Sequence, residues 1–503
     1  MSPSPRLPSC GSYGPSQPLC DRIPGGYVRK GGAQSLPQLD PNGKAELMNP
    51  YIMLTTTRSA TDKRCHDVGT RAVSGPVTFR GCLRCIFMPS VYLISPAGHP
   101  NYGDELIAAG WLRHLSQTHP EHDVWLDCPN PGLASVLFSA LHPRLRVTNT
   151  LWRASWEAGS DDPAVVTNRV LDVVRNFGTP AYDLGLERLY EVESFHLLGG
   201  GYINRLWPKN AGLVAGAAAV GSLTGARLYA TGLSVVPLLQ APTAMQDSGS
   251  SVIELLRGFD HVSVRDEPSA ALLGLELGLD DAFLAAEYEL RKGLERGGAD
   301  MVVCLQSDLQ SEEQRRQVAA GARELISDAL AQGKTVQYIE AIPGVDRAGF
   351  DALRDLIRVE DFIPFASIWR EGLPLRADQT WLTTRFHLHF MAAAAGATGK
   401  AINIRDGYYD IKHRSLIELG TGWSHVDAAR TTSDTAPAPD ANALSFSSML
   451  NARSTQKSCE AFNLYPCQND AVAHTQGPPP VSRQKPSARP PRGLLTALSH
   501  MFR

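Results

Sequence analysis

Val91-Tyr92-Leu93-Ile94-Ser95-Pro96-Ala97-Gly98-His99-Pro100-Asn101-Tyr102-Gly103-Asp104-Glu105-Leu106-Ile107 is the stretch from which the fold can be read. Its first four residues are apolar and β-rich, and the turn-forming run Ser95 to Gly98 ends them. After Gly103 the period changes, and Leu106, Ile107, Trp111, Leu112 and Leu115 mark one helical face. A strand therefore runs into a helix through a glycine-containing turn. The same unit recurs down the chain. Candidate strands are 124–126, 145–147, 195–198, 227–230, 262–264, 301–305, 335–339, 362–365 and 400–404, with helical stretches such as 314–330 and 350–357 between them. This alternation predicts an α/β protein with parallel sheets covered by helices on both faces. Ten candidate strands fit two Rossmann-like domains better than one. Gly297-Gly298, just before the apolar run from Met301, marks the junction between an N-terminal domain 88–297 and a C-terminal domain 298–430. In such a pair, ligands sit at the carboxyl ends of the strands, in the cleft between the halves.

The ends of the chain differ from this middle. The chain has 503 residues, 43% hydrophobic and 20% charged, too long for one ordinary domain and too apolar for a wholly disordered one. Of its 35 prolines, 10 lie in residues 1–87 and 9 in residues 431–503. Both segments are expected to be disordered extensions: the first is low in complexity, the second proline-rich. Residues 88–430 are then expected to fold and act alone. Cys65, His66, Cys82 and Cys85 could be read as zinc ligands, but the adjacency of the first two disfavours tetrahedral chelation. Met88 offers a downstream start. Arg483, Lys485, Arg489, Arg492 and Arg503 make the last stretch basic, which leaves a peripheral contact with an anionic membrane open. A formal net charge of −3 supplies no field for nucleic acid, and no run reaches the roughly 18 apolar residues of a membrane span. The first thirty residues have no apolar segment of signal-peptide type, so a cytoplasmic protein is expected, at most reaching the inner face of the membrane.

The residues suited to chemistry follow predicted strands. In the first turn, Asn101, Gly103 and Asp104 stand where free N–H groups favour an anion, and Asp104 can be read as a helix cap or as a group orienting substrate. Gly199, Gly200 and Gly201 follow another strand and remove side chains where something approaches the backbone. Arg265 ends a strand with a fork suited to phosphate or carboxylate, the plainer reading being a surface pair with Asp266 or Glu267. Arg385, His387 and His389 alternate as they would on one face of a strand end, and two histidines without a clear third ligand argue against metal. Lys412 closes the run Tyr408-Tyr409-Asp410-Ile411-Lys412.

In order, Asn-x-Gly-Asp-Glu at Asn101 to Glu105, Leu-Gly-Gly-Gly at Leu198 to Gly201, Ser-Val-Arg-Asp-Glu at Ser263 to Glu267 and Arg-Phe-His at Arg385 to His387 resemble the polysaccharide pyruvyl transferase family. The resemblance spans about residues 88–428. Its departures are the long stretch between Gly396 and Lys412 and the two unmatched extensions. It implies two Rossmann-like domains in a GT-B-like arrangement and transfer of pyruvate from phosphoenolpyruvate to a sugar as a cyclic ketal. It places phosphoenolpyruvate on Arg265, His387 and Lys412, with Arg385 as a neighbour. The donor's phosphate and carboxylate call for several fixed cations, which Arg265, Arg385 and Lys412 can supply from different strand ends. His387 is the candidate general acid and Asp104 a candidate base. Asn101, Gly103 and the glycine triplet would line the acceptor cleft. Neither metal nor cofactor is called for, because acid catalysis and electrostatics suffice to break the bond. The acceptor is expected to be a saccharide or glycolipid of the cell envelope or an exopolysaccharide. A nucleotide-sugar glycosyltransferase of the same fold is the nearest rival, but Glu360, Glu371 and Glu418 do not offer the paired acids many such enzymes use. A non-catalytic saccharide- or anion-binding protein would not be expected to keep Arg265, His387 and Lys412 together.

Overall fold

In a computed structural model of the chain, the described residues are 89–176, 179–237, 247–427 and 445–466. The Cys65, His66, Cys82 and Cys85 cluster and the basic residues from Arg483 onward lie outside them.

Two six-stranded parallel sheets are formed by the described residues. The first is built from β1 (Ser90–Ile94), β2 (Asp123–Asp127), β3 (Leu145–Thr148), β4 (Ser194–Leu197), β5 (Arg227–Leu233) and β6 (His261–Val264). Its spatial order is β3-β2-β1-β4-β5-β6. The second contains β7 (Met301–Cys304), β8 (Val336–Ile339), β9 (Phe362–Ile363), β10 (Thr380–Thr383), β11 (Thr398–Asn403) and β12 (Ser424–Asp427), ordered β12-β11-β10-β7-β8-β9. Each is the doubly wound order, whose direction reverses between the first and fourth strands of the sheet. Right-handed crossovers leave a crevice beyond the carboxyl ends of these two strands. The reversal points are β1/β4 and β7/β10, and the Asn101, Gly199 and Arg385 segments follow β1, β4 and β10. Two Rossmann-like halves sharing a cleft in this way form a GT-B-like arrangement. The 297/298 junction falls between β6 and β7.

β10 and β12 were not among the candidate strands. β10 is only four residues long, and β12 carries Ser424, His425 and Asp427 with a single valine, so neither shows an apolar run. Central strands such as β1, buried at every position, announce themselves by composition.

The tail requires a correction. Leu450–Leu464, inside the segment expected to be disordered, is a helix. It packs along the Phe283–Arg296 helix, and Leu450, Ala461, Leu464 and Tyr465 join the apolar core that also holds Leu93, Trp111, Phe283 and Trp381. Residues 88–430 therefore lack part of the protein's own core. The compositional reading failed because prolines flank this helix without entering it.

No helix among the described residues is long and apolar enough to cross a membrane.

Candidate functional site

The carboxyl ends of both sheets open on a cavity of about 610 Å³. Asn101, Gly103, Asp104, Gly200, Gly201, Arg265, Arg385, His387 and Lys412 all line it, although they come from segments as far apart in sequence as residues 101 and 412.

The first wall is the start of the Tyr102–Thr118 helix. Its cap is Asn101, whose side-chain oxygen accepts from the Gly103 N–H at 3.4 Å while its amide donates to Asp104 Oδ2 at 2.7 Å. The capping role read for Asp104 thus belongs to Asn101, because the capping side chain must come from the residue just before the helix. Asp104, two residues inside the helix, faces the cavity. Burial raises its carboxyl above the usual range, and the charges of His387, Lys412 and Arg265 oppose that rise. Glu105 points the other way, accepting the Gly98 N–H with both oxygens at 2.9 and 3.1 Å and tying down the turn.

The second wall is the glycine triplet after β4. Gly199 N–H donates to Asp281 Oδ2 at 2.8 Å. At Gly201 a Cβ would stand 3.0 Å from Lys412 Cε, 3.2 Å from its Nζ and 3.4 Å from Arg265 Nη2. Glycine is needed here because two cations converge on its α-carbon.

Arg265 is buried at the end of β6 and does not pair with Asp266 or Glu267. Its Nη1 donates to Asp280, and its guanidinium lies 4.6 Å above the Phe386 ring. Asp266 instead caps the Glu267–Leu273 helix through the Ser269 N–H at 2.9 Å. Asp280 Oδ1 also lies 3.5 Å from His387 Nε2. Burial alone would raise the Asp280 carboxyl, but Arg265 and His387 hold it well below the carboxylate range.

The third wall corrects the strand-face reading of Arg385, His387 and His389. β10 ends at Thr383, Arg385 is the residue before the next helix, and both histidines lie within Phe386–Ala394. Two residues along a helix turn through about 200°, so the two rings diverge. His387 faces the cavity. His389 is buried, 3.2 Å from His413 Nδ1 and 3.0 Å from Thr421 Oγ1, and stacks on Trp423. Burial holds the His389 imidazole well below its ordinary value, as suits a neutral core group. Arg385 lines the cavity, but its guanidinium is already engaged, with Nη2 2.5 Å from Asp346 Oδ1 and 3.1 Å from Asp308 Oδ1.

Lys412 lies in the first turn of the Tyr409–Glu418 helix. Its Nζ donates to Tyr408 Oη at 2.5 Å and lies 3.8 Å from that ring's centre, with no carboxylate within ion-pair distance among the described residues. Burial, and then the charge of Arg265, push the ammonium well below its ordinary value. A partly buried cation beside another cation is costly until an anion arrives. Tyr408 Oη in turn donates to Gly201 O at 2.9 Å.

Aromatic rings complete the lining, with Trp156 exposed and Trp152 and Tyr202 buried. Trp152, Trp156, Tyr202 and Trp207 line the cavity, and the Trp156 indole donates to Asn210 Oδ1 at 2.9 Å. Such faces suit the apolar side of a sugar ring.

Sequence reading did not single out Asp280 and Asp281, Asp308, Asp346 or the tryptophans that line the cavity. The adjacent acids at 280 and 281 are the one local signal that could have pointed to part of this set.

Comparison with known proteins places these motifs in context. The family model described as polysaccharide pyruvyl transferase matches residues 101–397. No curated protein matches the chain. Among solved structures, a UDP-N-acetylglucosamine 2-epimerase is similar at 12% identity and a TM-score of 0.43, covering 79% of this chain and 100% of its own. The Methanocaldococcus jannaschii UDP-GlcNAc 2-epimerase, solved with UDP-GlcNAc and UDP, is 12% identical with a TM-score of 0.40, covering 73% of this chain and 98% of its own. Os79 from O. sativa, solved with U2F and trichothecene, is 12% identical with a TM-score of 0.40, covering 76% of this chain and 99% of its own.

Proposed function

The chain belongs to the polysaccharide pyruvyl transferase family, and we propose that it transfers pyruvate from phosphoenolpyruvate to two hydroxyls of a saccharide, forming a cyclic ketal. The observation that carries this reading is Lys412: a partly buried ammonium beside Arg265, facing the cavity and with no carboxylate among the described residues within ion-pair distance. Phosphoenolpyruvate bears a phosphate and a carboxylate, and its arrival would neutralise both cations.

His387 gives a proton to the methylene carbon, and a sugar hydroxyl adds to the neighbouring carbon. That hydroxyl's proton passes to a base, for which Asp104, raised by burial, is the candidate. The C–O bond to phosphate then breaks, with Arg265 and Lys412 holding the charge that develops on the departing group. A second sugar hydroxyl adds to the same carbon and closes the ketal. Of the two hydroxyl protons released, one restores the acid and the other leaves with phosphate, so the protons balance. Arg385, already held by Asp346 and Asp308, shapes the site and adds to its field. The saccharide would lie on the tryptophan faces that line the cavity. The acceptor would be a lipid-linked sugar of the cell envelope or an exopolysaccharide unit, with the enzyme in the cytoplasm and no cofactor beyond the donor.

The test is thermal unfolding of the full chain with phosphoenolpyruvate and with UDP, followed by phosphate release in an acceptor screen. A stabilisation by phosphoenolpyruvate and a ketal methyl signal in proton NMR are expected. A shift with UDP and none with phosphoenolpyruvate would transfer the assignment to a glycosyltransferase.

A further inference from the structure

Lys457 lies on the Leu450–Leu464 helix, beyond the part of the chain that carries the family's motifs, and its side chain is fully buried. Its Nζ stands 2.6 Å from Asp281 Oδ1 and 2.7 Å from Glu460 Oε2, and donates to the Leu279 carbonyl at 3.1 Å. The ammonium is therefore compensated by two carboxylates at ion-pair distance and one carbonyl acceptor, which is the condition under which a buried charge fixes geometry instead of merely costing energy. The other Asp281 oxygen accepts from Gly199 N–H at 2.8 Å, Trp111 Nε1 at 2.7 Å and Thr231 Oγ1 at 2.7 Å. A second path leads from the same helix to the same carboxylate: Tyr465 Oη bonds His196 Nδ1 at 3.1 Å, and His196 Nε2 bonds Thr231 Oγ1 at 2.8 Å.

Between the two residues that Lys457 grips, Leu279 and Asp281, stands Asp280. This is the carboxylate that holds Arg265 and faces His387. Gly199, bonded to Asp281, opens the glycine triplet. We infer that Lys457 is a positioning residue: through Leu279 and Asp281 it sets Asp280, and thereby aligns the Arg265 guanidinium and the His387 ring in the cavity. The kinetic consequences rest on the function proposed above; the geometric one does not.

The experiment compares full-length wild type, Lys457→Met and Lys457→Arg. In folded Lys457→Met, KM for phosphoenolpyruvate should rise about threefold or more and kcat fall about tenfold or more, because both groups aligned by Asp280 drift. Lys457→Arg, which keeps the charge and the donors, should recover much of both. A merely structural role would lower the amount of active enzyme and so depress kcat with KM unchanged; that outcome, or wild-type kinetics in a folded Lys457→Met, overturns the inference. If the single variant does not fold, Lys457→Met/Asp281→Asn removes the charge together with the fully buried carboxylate it faces, leaving Glu460 paired with His261, and is judged by the same criteria. The His387 ring nitrogen signals in ¹⁵N NMR, assigned by difference with His387→Gln, give a readout free of substrate. They should move in Lys457→Met, and unchanged signals overturn the inference. A wild type that releases no phosphate from phosphoenolpyruvate defeats the proposed function instead, and the ring signals then decide the role of Lys457.

Discussion

His387 Nδ1 stands 1.9 Å from where a Cβ on Gly103 would be, so the helix starts after β1 and after β10 meet ring against backbone. The glycine of the first motif and the histidine of the fourth are thus one packing unit, shared by the two halves of the protein. A side chain at 103 must displace the ring. Gly103→Ala should lower kcat about a hundredfold, the scale on which an ångström of misplacement acts. Steady-state phosphate release from phosphoenolpyruvate checks it. His387→Ala should abolish turnover with the fold intact by circular dichroism, and full activity in that variant would remove His387 from the acid role.

Lys412 sets a second prediction. Its folded-state pKa lies below the ordinary lysine value, so between the two values the unfolded chain holds more protons and stability rises with pH. The difference in thermal stability between the unliganded wild type and Lys412→Met should move in the wild type's favour as pH rises through that window. Lys412→Met should also cancel the stabilisation given by phosphoenolpyruvate. Gly201→Val, by crowding Lys412 and Arg265, should weaken that stabilisation about tenfold in concentration.

Glu105 gives the opposite slope. Burial raises its carboxyl to about 8, so it favours the protonated form, and its contribution is lost as pH rises through that value. Glu105→Gln keeps an acceptor for the Gly98 N–H without the titration. Thermal unfolding from pH 5 to 8 should therefore fall more steeply for wild type than for the variant.

A chain ending at Arg430 should unfold at markedly lower temperature than the full chain, or fail to stay soluble. It uncovers the surface that Leu450, Ala461, Leu464 and Tyr465 bury, and it strands Asp281 without Lys457. Thermal unfolding of the two forms checks this. Cooperative, equally stable unfolding of the short form would show that the helix is dispensable.

Trp156→Ala should raise KM for the saccharide acceptor about tenfold with KM for phosphoenolpyruvate unchanged, because the ring is an exposed apolar face on the cavity and carries no charge for the donor's anions. Kinetics with each substrate varied in turn separates the two.

Much of the site was legible because each motif is local: a strand, a glycine turn and a helix start lie within about ten residues, and their periods and turn residues show in the chain. Asn101, Gly201, Arg265, His387 and Lys412 all line the cavity for this reason. Where the reading went astray, the cause was a competing local signal. Alternation at Arg385, His387 and His389 imitates a strand, while the Phe386–Ala394 helix that holds both histidines packs on β10 and β11, a contact that the local pattern does not show. The Leu450–Leu464 helix was hidden by proline-rich flanks.

By itself, the sequence determined the α/β alternation, the two doubly wound halves and the identity of the cations and the histidine, since these depend on period and residue type. Only the tertiary structure decided which charges are paired. Asp280 holds Arg265, Asp346 and Asp308 occupy Arg385, Lys457 answers Asp281 from 176 residues away, and Lys412 has no carboxylate within ion-pair distance among the described residues. A Coulomb interaction depends on distance and burial, and neither is written in the order of residues until the chain has folded.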